Sequence, residues 1–138
     1  MILIVMSEEI QNLKFHDEAA EYEGCEYTLG HHKFIQRTAK LTPKKDGQFV
    51  TLWKRNQQGI TAPFTESDDF DFVAILCHKG SKSGCFLFPK DILSEKGILQ
   101  ISGKKASGKR GFRVYPTWDK PTNKQALNTQ KWQQEYFS

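Results

Sequence analysis

Between residues 109 and 118 the chain interleaves bases with aromatic residues: Lys109, Arg110, Arg113, Tyr115 and Trp118. On an extended strand, alternation sends Lys109, Gly111, Arg113 and Tyr115 to one side and Arg110, Phe112 and Val114 to the other. Cations of this kind meet phosphate oxygens, aromatics stack on bases at roughly 1–3 kcal/mol per stack, and a glycine lets a backbone approach closely. An amphipathic strand with Phe112 and Val114 in a core explains the apolar side but leaves the basic side without a purpose. A second block runs from Lys40 to Arg55, with Lys44 and Lys45 in a turn and Trp53-Lys54-Arg55 at a strand end. Trp53 reads equally well as a core residue.

Two other chemistries are testable from spacing. Asp69 and Asp71 alternate onto one face, as carboxylates holding Mg²⁺ would, and with Lys40 they make the nuclease alternative. An endonuclease site also needs a carboxylate two residues before the lysine, and Thr38 stands there, so the set is incomplete. Asp68 and Asp69 also read as caps of the turn before a buried strand. For zinc, Cys77, His78 and Cys85 converge only across a hairpin, no C-x-x-C pair exists, and His31-His32 falls in a turn. Cys25, Cys77 and Cys85 all fall in strands, where a small buried hydrophobe is the expectation rather than a nucleophile. Gly103 to Gly111 lacks the spacing and context of a phosphate-binding loop.

The elements that must carry these residues follow from periodicity. Ser7 with Glu8 and Glu9 predicts a helix start, carried by Ile10 and Leu13 and ended before Gly24. Strands are expected at Cys25–Leu29, Lys33–Leu41 and Gln48–Arg55, separated by turns at Gly30-His31-His32 and Pro43–Gly47. Phe70–Cys77 is almost continuously apolar, which predicts a central strand covered on both faces. Cys85–Phe88 returns as its hairpin partner, Pro89 opens a short helix that Gly97 ends, and Ile98–Ile101 reads as a brief strand. Ser102–Gly108 is loop and Gly111–Tyr115 the last strand. Thr122 with Gln125 predicts a capping box for a closing helix to about Tyr136, with Trp132 and Tyr136 at i,i+4. The sum is one α+β domain over residues 1–138: a mostly antiparallel mixed sheet flanked by N- and C-terminal helices.

Composition agrees with that size and class. At 138 residues, 38% hydrophobic and 26% charged, the chain has enough apolar content for a core without metal or disulfide staples. Net charge is +4 but unevenly placed: Glu8–Glu26 holds seven acids and one base, while Lys33–Arg55 holds seven bases against Asp46 alone. Lys79–Lys124 adds eleven bases against three acids. Such segregation is the usual footprint of a polyanion binder, although charges of this kind also serve only to keep a surface hydrated. Three cysteines cannot all pair and no secretory signal precedes them, which points to the cytoplasm. Met1–Val5 is too short for a membrane span and reads either as a first strand or as residues ahead of a start at Met6.

Four ordered blocks resemble the MepB family. They are Arg37–Lys45 with Gly47–Arg55, Asp69–Phe72 with Phe86–Lys90, Gly108–Asp119, and Thr129–Gln133. The chain begins later than many such proteins, which implies a shortened early helix. The resemblance implies a small bacterial cytoplasmic protein, one relative being encoded beside a multidrug-efflux gene and its repressor. It also implies a restriction-endonuclease-like fold and nucleic-acid binding. Charge, aromatics and resemblance together predict a protein that binds nucleic acid, DNA ahead of RNA, with low sequence specificity and no catalysis, requiring no cofactor, metal or membrane. The predicted contacts are Lys40, Lys44, Lys54, Arg55, Lys109, Arg110, Arg113, Tyr115 and Trp118. The rivals are the nuclease already described and a protein-interaction module whose basic face meets an acidic partner.

Overall fold

The computed structural model describes residues 9–105 and 107–138. In chain order the strands are β1 (Ile10–Phe15), β2 (Cys25–Leu29), β3 (His32–Thr38), β4 (Lys40–Leu41), β5 (Gln48–Thr51), β6 (Trp53–Arg55), β7 (Thr61–Pro63), β8 (Phe72–Lys79), β9 (Lys82–Pro89) and β10 (Gly111–Val114). Helix α1 spans Lys90–Glu95 and α2 spans Lys124–Gln133, extended by a 3₁₀ turn at Gln134–Tyr136.

The main sheet has the order β1-β2-β3-β8-β9, antiparallel throughout except for the parallel β3–β8 pair. Strand β8 lies inside it because its side chains are apolar on both faces. Val73, Ile75 and Cys77 enter the principal core, and Ala74 and Leu76 enter a smaller cluster behind the sheet. A second sheet, β10-β5-β4, packs Val50, Phe112 and Val114 into the principal core. The fold is therefore α+β with an antiparallel-dominated sheet.

Several predicted elements differ. The helix expected before Gly24 is not formed by the described residues: from Ile10 onward the chain is an edge strand, followed by a 3₁₀ turn at Asp17–Tyr22. Its short apolar stripe could not fasten a helix, and Leu13 and Phe15 remain exposed even in the strand. Pairing with β2, from Ile10 opposite Leu29 to Phe15 opposite Cys25, satisfies the backbone instead. Residues 1–8, which carry the Met1–Val5 strand, the Met6 start and the Ser7 helix start, lie outside the described set.

Two predicted strands are each broken by one residue. Lys33–Leu41 changes sheets at Ala39, whose N–H donates to the Leu76 carbonyl. Gln48–Arg55 divides at Leu52, whose N–H donates to Arg110 while β6 turns away to pair with β7. Ile98–Ile101 forms only isolated bridges, from Gln100 to Thr65 and from Ile101 to Lys104, with Ile98 and Leu99 buried as plugs. The closing helix is capped one residue later than predicted: the Asn123 side chain, not that of Thr122, accepts from the Ala126 N–H at 2.8 Å. Trp132 and Tyr136 meet on a shared partner, Phe88, with centroids at 5.6 and 5.8 Å.

Candidate functional site

The turn after β4 must reverse the chain between Leu41 and Gln48, and Arg113 on β10 holds that reversal. Its guanidinium donates to the Asp46 carbonyl at 3.0 Å, to the Gly47 carbonyl at 3.5 Å and to the Thr42 hydroxyl. Lys44 adopts φ 64° and Gly47 φ 78° within the same turn. The glycine is required there twice over, because a Cβ would also stand 2.7 Å from the Tyr115 ring. On the opposite side Gln133 of α2 ties the helix to β10, accepting from the Tyr115 N–H at 2.8 Å and donating to the Arg113 carbonyl at 3.0 Å.

Between the turn, β10 and α2 lies a groove of about 740 Å³. Lys44, Lys45, Lys96, Lys109 and Arg113 line it, against the single acid Asp46. Among the described residues, Lys44, Lys45, Lys109 and Arg113 have no carboxylate within ion-pair distance. Phe49 and Trp132 supply half-buried aromatic surface. Gly111 makes room for one of them: a Cβ there would sit 2.6 Å from the tip of the Phe49 ring. The close approach that this glycine permits is thus by a side chain of the protein itself. The Tyr115 side chain is 8% exposed and also lines the groove.

The structure thus brings Lys44, Lys109, Arg113 and Tyr115 into one site and places the other predicted residues elsewhere. Lys40 sits over the Tyr22 ring at 4.6 Å with Glu21 at 3.7 Å. Lys54 is half-buried and paired with Asp68 at 2.7 Å. Arg55 lies over Trp53 at 5.3 Å and donates to the Gly59 carbonyl, and Arg110 donates to the Thr61 carbonyl. Trp118 is half-buried outside the groove: it packs edge-on to Phe137 at 5.5 Å, with its indole N–H buried and without an acceptor among the described residues. Tyr115 cannot stack a base, because its ring is covered by Gly47. Lys45, Lys96, Phe49 and Trp132 belong to the site and were absent from the predicted set. Phe49 was reachable by alternation, since it stands directly opposite Arg113 on β5. Lys96 and Trp132 carried no local signal, because only the packing of α1 and α2 sets the Lys96 ammonium 5.4 Å from the Trp132 ring.

The predicted nuclease set is not assembled. Asp69 pairs with the Lys33 ammonium, and Asp71 accepts from the Lys33 N–H at 2.9 Å, so both fasten the loop before β8 to the start of β3. Lys40 lies beyond the far end of β3, seven residues and about 20 Å along the chain. The cysteines are equally separated: Cys77 enters the principal core, whereas Cys85 faces the cluster behind the sheet. Burial pushes the Cys85 thiol up to about 11 and raises Cys77 and Cys25 as well, which disfavours a thiolate at any of them.

An α+β scaffold with a basic, aromatic-lined groove between β10 and α2 defines the class. The MepB-like family model matches residues 16–138, and the chain belongs to that family. Among solved structures it is similar to the crystal structure of MepB, with 37% identity, a TM-score of 0.89, and coverage of 96% of this chain and 89% of that one. Comparison with curated proteins gives no match. Among the described residues, no helix is long and apolar enough to cross a membrane.

Proposed function

We propose that this protein binds nucleic acid, without catalysis, through the groove between β10, the 42–47 turn and α2, at a bacterial cytoplasmic address. The observation that supports it is the gathering of four cations that have no carboxylate partner among the described residues, beside two half-buried aromatics. Phosphate contacts of this kind are largely independent of sequence, which accords with low specificity, and DNA stays ahead of RNA only on the strength of the resemblance. Lys44, Lys45 and Lys109 are the phosphate contacts, Phe49 and Trp132 the stacking surfaces, and Arg113 the residue that positions the turn. The scaffold is read as restriction-endonuclease-like without a metal site, because Asp69 and Asp71 are committed to Lys33.

Fluorescence anisotropy with single- and double-stranded oligonucleotides, at two salt concentrations, tests this. Binding should weaken with salt, and Lys44→Ala with Lys109→Ala should reduce the slope of log K against log salt by about 1.4–1.8, since each lost phosphate contact removes 0.7–0.9. No binding at low salt, or an unchanged slope in the folded double variant, would overturn the proposal. Binding that resists salt and ignores DNA competitor would instead mark an acidic protein partner.

A further inference from the structure

We infer that the β6–β7 hairpin is a second contact element, an arm whose tip enters the minor groove of duplex DNA with Ile60 as its wedge. It lies outside the groove already described and rests on the nucleic-acid reading above. The two strands pair only with each other, Trp53 opposite Pro63 and Arg55 opposite Thr61, so the arm belongs to neither larger sheet. Its tip is braced. The Asn56 carboxamide oxygen accepts from the Gln58 and Ile60 N–H groups at 2.9 and 3.0 Å, and the Asn56 N–H donates to the Ile60 carbonyl at 2.9 Å. Arg55 adds a bond to the Gly59 carbonyl at 3.1 Å. What this bracing presents to solvent is Ile60, 61% exposed, beside the exposed amides of Gln57 and Gln58.

An exposed isoleucine alone needs no purpose. This one has cations beside it. Arg55 and Arg110 are exposed, each engages one carbonyl of the arm, and neither has a carboxylate within ion-pair distance among the described residues. Each guanidinium keeps further N–H donors for phosphate oxygens. The basic surface runs on into the groove without a break: Arg110 turns to the arm while its neighbour Lys109 lines the groove. At the base of the arm Pro63 lies against Gly108, where a Cβ would stand 3.1 Å from the proline ring. An apolar wedge flanked by Arg and Gln is the set of residue types that parts a base step from the minor-groove side, kinking the duplex by roughly 20–90°. A polyanion without stacked base pairs gives Ile60 nothing to enter, so the arm selects duplex while the groove serves either form.

The test uses a short duplex with a fluorescent adenine analogue at a central TA step and a FRET pair at its ends, and one of its strands alone as control. Saturating wild-type protein should brighten the analogue, by unstacking it, and bring the duplex ends closer. Ile60→Ser, at an exposed position, should abolish both signals and weaken duplex binding about tenfold, while leaving affinity for the single strand unchanged. Arg55→Gln with Arg110→Gln should lower the slope of log K against log salt on the duplex by about 1.8, from two phosphate contacts at about 0.9 each. Duplex bound without unstacking or bending, an Ile60→Ser variant that behaves as wild type on the duplex, or an unchanged slope in the arginine pair would each overturn the inference and leave binding by the groove standing. Failure of duplex and single strand alike to bind the wild-type protein at low salt would overturn both.

Discussion

Arg37 offers a sharp test of how charge is handled in this fold. It lies on β3 with no exposed surface. One guanidinium nitrogen donates to the Gln36 carbonyl at 2.9 Å, and the other two have no partner among the described residues. Phe64 lies at 6.0 Å, the outer limit of a cation–π contact. Burial lowers the pKa to about 10, although Glu18, Cys25 and Glu26 pull the other way. Holding the proton at about 10 rather than at the ordinary guanidinium value costs the charged form on the order of 3 kcal/mol. Arg37→Met keeps an unbranched stem of similar length and removes that cost, while losing one hydrogen bond of about 1 kcal/mol and a marginal cation–π contact of about 0.5 kcal/mol. The variant should therefore be more stable at pH 7 by about 1–2 kcal/mol, read as a higher urea midpoint at unchanged m. The sign with pH is fixed as well. The unfolded chain keeps this proton to higher pH than the folded one, so it binds more protons above pH 10. Wild-type stability must then rise relative to the variant as pH passes 10, and the gap must narrow. A variant less stable than wild type by more than about 1 kcal/mol would refute this, and would show that bound water or an anion satisfies the guanidinium.

Arg113→Ala removes the guanidinium that holds Thr42, Asp46 and Gly47, and should cost about 1–3 kcal/mol in urea unfolding while speeding amide exchange in residues 42–47. Lys44→Gly removes a charge and accepts φ 64° without strain, so oligonucleotide affinity should fall while thermal stability holds or rises slightly. Gly47→Ala meets both a positive φ and the Tyr115 ring, and should lower stability by about 1–3 kcal/mol by urea titration.

Much of the framework was legible because its signals are local. The apolar run before Cys77 identifies β8, the return at Cys85 identifies β9, and alternation through Phe112 and Val114 identifies β10 with its core face. The sheet changes at Ala39 and Leu52 were hidden, since nothing in an alternating run of residues says which neighbour will accept its hydrogen bonds. The N-terminal strand was hidden for a related reason. Acidic residues ahead of a short apolar pair satisfy the local rules for a helix start, and only the free edge of β2 decides otherwise.

Membership of the site was less legible than the fold, because charge balance is settled between distant residues. Lys54 and Lys109 read alike along the chain, yet one finds Asp68 fourteen residues later and the other finds no carboxylate among the described residues. Arg113 shows the finer version of the problem. Its place on the basic side of β10 followed from alternation, but its guanidinium is engaged by the carbonyls of the 42–47 turn, and so it places Lys44 and Lys45 rather than standing beside them as an equal. The aromatic residues divide in the same way: in the basic block Tyr115 is buried and Trp118 lies outside the groove, whereas half-buried Phe49 and Trp132 come from other elements and line it. A site built this way depends on the docking of α2 against β10 through Gln133. Loss of that one amide should therefore disperse the groove while leaving every lysine in place.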